Sequence, residues 1–288
     1  MKIDVQNITK AYRKKKALDD VSFQLTEPKI YGLLGRNGAG KTTFMDILAG
    51  YQLASGGEIT VNGKNPFDQR DILQHICLIK EADNFQKDMN VKQILTSYKC
   101  FYPNWDQELA EQLIKEYNLP MKKRIKTFSK GMLSAVGVIV GIASKAPITI
   151  FDEPYIGLDA AARKKFYDIL LEEFELEPRT VIFSTHLIDE VSLLFEEVLI
   201  LQDGKLILHE ETENLRQQTC AVTGEVEEVE AFIMNKQVIK KKQLANMMTA
   251  FIYGDRQEAE ATSLQVEGVP IQDLMIYLTE KQEVQLGW

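Results

Sequence analysis

The sequence predicts an α/β protein: a mainly parallel sheet wound with helices, followed by a small α+β tail. Three observations predict it. Residues 148–151 and 180–185 are apolar strands on either side of a helix that begins near Ala160, the strand–helix–strand order that parallel pairing needs. Residues 30–34 form another short apolar run, and a glycine-rich turn joins it to the helical segment 44–48. Near the start, Val21, Phe23 and Leu25 alternate with polar neighbours as a half-buried strand does.

In chain order, the helix at 44–48 ends near Gly50, and Ser55-Gly56-Gly57 turns the chain into an alternating strand at Ile59 and Val61. From about 88 to 144 the pattern is helical, and within it Leu109, Leu113 and Tyr117 recur at spacings of four before Pro120 stops the segment. After the βαβ unit, a strand at 198–201 reaches Asp203-Gly204, a hairpin signal leading to Leu206, Ile207 and Leu208. A boundary falls near 215–219. Beyond it Val226, Val229 and Ile233 suggest a helix, Met247–Tyr253 a strand, and Ile271, Leu274, Met275 and Leu278 a closing amphipathic helix. The expected division is a domain at 1–217, with a helical subdomain at about 84–145, and an accessory α+β domain at 218–288. There is no internal repeat.

A chain of 288 residues fits one large domain or a domain with an appendage. With 45% hydrophobic and 26% charged residues, 17 glycines and 8 prolines, collagen-like, disordered and disulfide-scaffold classes are excluded. The longest uncharged stretch, 131–144, falls short of the roughly 17–25 apolar residues of a membrane span. The opening Met1-Lys2-Ile3-Asp4 lacks a signal-peptide core, so the chain is expected to stay in the cytosol. Cys77, Cys100 and Cys220 lie far apart without metal spacing and read as reduced core thiols. A formal charge of -8 argues against a general nucleic-acid binder, and the local cluster Lys10, Arg13, Lys14, Lys15 and Lys16 reads as a solvated loop.

The glycine-rich turn is Gly35-Arg36-Asn37-Gly38-Ala39-Gly40-Lys41-Thr42, which matches G-x-x-x-x-G-K-[ST] between a strand and a helix. Its backbone N–H groups and the helix start can wrap phosphates, Lys41 can bridge the outer ones, and Thr42 can hold Mg²⁺, with Thr43 next in the same turn. Such a loop needs a carboxylate on an adjacent strand, and the run 148–151 ends in Asp152-Glu153. Asp152 would take Mg²⁺, and Glu153 would orient and deprotonate the water that attacks the γ-phosphate of ATP. His186 ends the next strand and can reach that phosphate if the two strands are neighbours. His75 and His209 lack such a setting and read as structural.

Over residues 1–215 these motifs resemble the ATP-binding subunit of an ATP-binding-cassette (ABC) transporter. Gly35–Thr42 resembles its Walker A motif, residues 148–153 its Walker B, Gly157-Leu158-Asp159 its D-loop, and His186 its switch histidine. Tyr12 stands where the family places an aromatic against adenine. The resemblance implies an ABC-ATPase core: a parallel sheet with an antiparallel β layer and a helical subdomain. The family signature L-S-G-G-Q is represented by Phe128-Ser129-Lys130-Gly131-Met132, keeping Ser129 and Gly131. The physics still fits, since Ser129 can cap a helix running to about Ser144 and its N-terminus can receive a γ-phosphate. Glu81 stands where the family has a metal-contacting glutamine, and as a hard oxygen ligand it could still meet Mg²⁺.

The family's mechanism implies two copies, or this chain and a paralogous ATPase subunit, that sandwich two ATP molecules, with Ser129, Gly131 and Asp159 facing the partner's nucleotide. Closure of the pair would power a transmembrane permease from the cytoplasmic face of the membrane, an exporter by resemblance to drug and peptide exporter subunits, with no nucleic acid as partner. The permease groove would lie near 81–105, where Tyr98, Phe101, Tyr102 and Trp105 are anchor candidates unless they are core. Residues 269–274 resemble the closing segment of bacterial exporter subunits; the tail carries no catalytic constellation and is expected to be structural or dimer-stabilising. The rival is a soluble mechanochemical ATPase of the same fold acting on ribosomes or DNA. A phosphate-loop kinase would leave the signature, the D-loop and His186 unexplained.

Overall fold

A computed structural model describes residues 1–280. The chain divides into two compact units, Met1–His186 with Leu199–Leu208, and Leu187–Val198 with the chain from His209 on.

The first unit opens with β1 (Ile3–Tyr12), β2 (Lys15–Leu25), β3 (Ile30–Leu34), α1 (Lys41–Leu48) and β4 (Gly56–Val61). Strands β2-β1-β4 form an antiparallel sheet. The alternation at Val21, Phe23 and Leu25 is the inner face of the longer β2, since all three are buried. Periodicity does not single out β1, because register shifts and a left-handed Asn7 (φ 50°) break its alternation. Next come α2 (Arg70–Leu73), β5 (Ile76–Ile79), α3 (Val91–Phe101), α4 (Gln107–Glu116), α5 (Lys130–Ala143), β6 (Ile148–Asp152), α6 (Ala160–Leu176) and β7 (Thr180–Ser184). After α7 (Ile188–Val191), β8 (Glu197–Gln202) and β9 (Lys205–Glu211) complete a six-stranded sheet in the order β5-β6-β7-β3-β8-β9. Its β5/β6, β6/β7 and β3/β7 pairs are parallel, as the βαβ pattern predicts.

One core joins the layers of this unit: Ile3, Val5 and Val21 of the antiparallel sheet, Phe44 and Ile47 of α1, and Leu33, Ile150 and Ile182 of the parallel sheet. Each of the helices α3, α4 and α5 starts on a side-chain cap. Asn90 and Gln93 form a reciprocal capping box, the Asp106 carboxylate accepts from Leu109 N–H at 2.9 Å, and Ser129 Oγ accepts from Met132 N–H at 3.2 Å. The helix α5 is buried along 135–143 inside the unit. Gly141 permits this close packing, since a Cβ there would lie 2.5 Å from a ring carbon of Phe151. No helix among the described residues is long and apolar enough to cross a membrane.

In the second unit α8 (Thr212–Gln218), β10 (Thr219–Glu225), α9 (Val226–Ile233), β11 (Gln237–Leu244), β12 (Met247–Tyr253), α10 (Arg256–Glu260), β13 (Gln265–Gly268) and α11 (Ile271–Thr279) follow in order. The sheet runs β11-β12-β10-β13, antiparallel throughout, over a core that includes Cys220, Val222, Val229, Met248 and Ile252. Periodicity finds α9, β12 and α11 and misses the edge strand β11, whose three lysines pair with Glu280, Glu230 and the Tyr277 hydroxyl. Lysines on an edge strand block further pairing, so the residues that make it a good edge hide it as a strand.

One cysteine reading is corrected. Cys77 and Cys220 are buried, but Cys100 is exposed, because α3 buries Val91, Ile94 and Leu95 and turns residue 100 to the polar face. Of the four aromatics between 98 and 105, Tyr102 is buried with its hydroxyl on Ile76 O at 3.2 Å, while Phe101 is exposed.

Candidate functional site

The site begins where β3, buried at every residue, runs into Gly35. Gly35, Gly38 and Gly40 have φ of 144°, 84° and 110°, and a Cβ at Gly35 or Gly40 would press within 2.3 Å or 2.5 Å of a backbone carbonyl oxygen. The loop can therefore take this shape only with glycine at those two places. Ala39 N–H closes its turn on Arg36 O at 3.0 Å, and Gly40 in the left-handed region launches α1. Lys41 Nζ folds back onto Gly35 O at 2.6 Å. Burial holds the Lys41 ammonium below the usual lysine range, against the opposing pull of Glu153 and Asp152.

On the far side of the loop, Asp152 closes β6 and accepts from Thr42 Oγ1–H at 2.9 Å. Burial pushes its carboxyl above the usual carboxylate range; the Thr42 bond and the Lys41 charge oppose that shift. Glu153 leaves the strand with φ 51°, a strained conformation for a side chain of its size, and its N–H is bound to Ser184 O at 3.1 Å. Because β6 and β7 are parallel neighbours with Asp152 opposite Ser184, residue 186 reaches the carboxylate: His186 Nδ1 lies 2.7 Å from Glu153 Oε2. The Tyr155 hydroxyl bonds to the same oxygen.

One cavity of about 540 Å³ is lined by Tyr12, Lys15, Asn37–Thr43, Glu81, Asp152 and Glu153 among others; His186 and Tyr155 touch Glu153 but are not among its lining residues. Tyr12 is half exposed, with its hydroxyl on Gln52. Glu81 lines the cavity with Oε1 3.2 Å from Lys130 Nζ. Thr42, Asp152 and Glu81 present hard oxygens to one space, the donor set that suits Mg²⁺ beside a polyphosphate. Arg36 is exposed on the loop.

Ser129, Gly131 and Asp159 do not line this cavity. Ser129 caps α5, and Asp159 caps α6 by accepting from Ala162 N–H at 2.8 Å. A Cβ on Gly131 would sit 2.3 Å from Gly157 O, so the Ser129–Gly131 turn and the 157–159 loop form one ridge in tight backbone contact, exposed at Ser129, Gly157 and Asp159 and buried at Leu158. His209 pairs with Glu197 at 2.8 Å.

Two functional candidates escape sequence reasoning. Lys15 belongs to the basic cluster read as a solvated loop, yet it lines the cavity; only its spacing of three from Tyr12 hints at this. Tyr155 has no motif to mark it and emerges only from the packing of β6 against β7.

The family whose profile matches this chain is described as ABC transporter, over residues 18–156. An uncharacterized ABC transporter ATP-binding protein of Methanocaldococcus jannaschii is 34% identical, over 84% of this chain and 86% of its own length. The lantibiotic transport ATP-binding protein SrtF of Streptococcus pyogenes is 30% identical, over 75% of this chain and 94% of its own. Among solved structures, an ATP-binding subunit of an ABC transporter superposes with a TM-score of 0.68 at 23% identity, covering 75% of this chain and 92% of that one. A dimeric ATP-binding cassette in a post-hydrolysis state with ADP and Pi gives 0.65 at 21% identity, covering 73% and 98%.

Proposed function

This chain belongs to the ABC transporter ATP-binding proteins and is an ABC-type ATPase, and on that premise we propose that it hydrolyses ATP in the cavity between the 35–42 loop and Asp152-Glu153 to power an exporter. The observation that carries the reading is the placement of Glu153 beside the Thr42–Asp152 bond on one cavity wall, with His186 bound to its carboxylate.

Loop N–H groups and the start of α1 receive the phosphates. Lys41 leaves the Gly35 carbonyl for the β- and γ-phosphates, whose charge restores the ammonium that burial disfavours. Thr42 and Asp152 would hold Mg²⁺, with Glu81 as a further oxygen; when bound, the ion neutralises charge on the β- and γ-oxygens. Glu153 orients the attacking water and takes its proton, while His186 steers the carboxylate and reaches toward the γ-phosphate. Tyr12 covers the adenine.

Because Ser129, Gly131 and Asp159 stand on a ridge outside the cavity, their role toward nucleotide requires a second ATPase subunit, a homodimer or a paralogue. ATP that touches both subunits only in the closed pair favours closure by differential affinity, and a docked permease on the cytoplasmic face of the membrane converts closure into transport. The lantibiotic transport relative supports the export direction. Residues 218–288 are proposed as an accessory α+β domain. The test is a Mg-ATPase assay beside a nucleotide-binding titration: Glu153→Gln is expected to bind ATP as the wild type does and to lose hydrolysis, and retained hydrolysis contradicts the reading.

A further inference from the structure

Tyr155 is almost completely buried at 2% exposure, its ring stacked on Phe183 at 10° and edge-on to the His186 imidazole at 61°. A phenylalanine would fill the same space. Burying a hydroxyl is costly unless it is bonded, and this one is surrounded by polar groups from the catalytic edge alone. It meets Glu153 Oε2, it lies 2.6 Å from Thr185 Oγ1 and 3.2 Å from His186 N, and His186 Nδ1 stands farther off at 3.5 Å.

The donors and acceptors can be assigned. A phenol has one proton and two lone pairs. The His186 N–H can only donate, so the phenol oxygen accepts it; the Glu153 carboxylate only accepts, so the phenol proton goes there. Thr185 must then donate its own proton to the phenol oxygen. Burial, reinforced by Glu153, drives the phenol far above its usual range, so its proton stays in place under any working condition. Glu153 Oε2 thus receives two donors, the phenol and His186 Nδ1, and neither of them engages Oε1.

We infer that Tyr155 is a positioning residue for ATP hydrolysis, whose hydroxyl aims the Glu153 carboxylate and ties it to the His186 backbone so that Oε1 is presented to the attacking water. The inference rests on the proposed role of Glu153. It also links the base to the ridge, because Leu158 N–H bonds to Tyr155 O at 2.9 Å within the 157–159 loop.

The experiment compares full-length wild type, Tyr155→Phe, Thr185→Val and Glu153→Gln in steady-state Mg-ATPase assays, with titration of a fluorescent ATP analogue. Tyr155→Phe keeps the ring and is expected to lower kcat by about tenfold or more while KM and nucleotide affinity stay within about twofold. Thr185→Val, which removes one partner of the phenol, is expected to give a smaller loss of kcat at unchanged KM. A wild-type kcat in Tyr155→Phe, or a change confined to KM, overturns the inference provided that Glu153→Gln is inactive. An active Glu153→Gln would instead sink the role of Glu153 itself and the inference with it. Should Tyr155→Phe fail to fold, Thr185→Val decides: a loss of kcat at unchanged KM supports the inference, and unchanged kcat overturns it.

Discussion

Lys130 Nζ lies 3.2 Å from Glu81 Oε1, so the two charged residues that depart from the family pattern meet in an ion pair. One stands in the signature segment and the other at the family's glutamine position, and Glu81 lines the nucleotide cavity. The lysine charge therefore does not stand alone at the ridge, nor the carboxylate at the cavity.

The pair is half exposed on both sides, so it contributes little to stability, about 0.2–1 kcal/mol. On the proposed function its weight falls on turnover, since there Glu81 would give up Lys130 to face a metal. Glu81→Gln and Lys130→Gly are expected to be non-additive in Mg-ATPase rate, with the double variant closer to wild type than the worse single. An additive double-mutant cycle contradicts this coupling.

Asp152→Asn should stabilise the nucleotide-free chain while abolishing Mg-dependent hydrolysis. Burial raises the Asp152 carboxyl above its unfolded value, so its contribution to stability is fully present below the unfolded value and is lost as pH rises through the folded one. At neutral pH the buried charge is a cost, and an asparagine oxygen can still accept from Thr42. Melting curves are expected to show the variant above wild type at neutral pH, with the gap closing in acid.

Lys41→Ala removes a half-buried ammonium that the fold spends on two loop carbonyls. We expect ATP affinity to fall at least about tenfold, with no loss of melting temperature without nucleotide. A large drop in that temperature would mean that Lys41 serves the loop's structure first.

Gly141→Ala tests the packing of the helical segment. The new methyl would sit 2.5 Å from the Phe151 ring, inside a packed core, and overpacking of this kind costs about 1–3 kcal/mol. Urea denaturation should show that loss, and a neutral result would mean that α5 is less tightly seated.

Much of the parallel core is legible in the sequence because each strand is a short apolar run ending in residues that the proposed chemistry calls for: Gly35 after β3, Asp152 at the end of β6, His186 past β7. The loop glycines are legible for the same reason, since no other residue tolerates a carbonyl at 2.3 Å from its Cβ. Strand β1 is hidden by its bulges and β11 by its edge lysines. Tyr155 and Lys15 are hidden differently: their roles depend on which groups face them across the fold, and local pattern carries no record of that. The Lys130–Glu81 contact spans 49 residues and shows in the sequence only as two unrelated oddities.

On the proposed function the ATP site is composite, completed by a second ATPase subunit. The most direct measurement is sizing chromatography of Glu153→Gln with and without ATP, beside the same chain carrying Ser129→Arg. A composite site gives an ATP-dependent dimer that Ser129→Arg abolishes while each monomer still binds nucleotide. A dimer that forms equally well without ATP or with Ser129→Arg, or a chain that stays monomeric with ATP bound both alone and alongside its paralogue and permease, would contradict it.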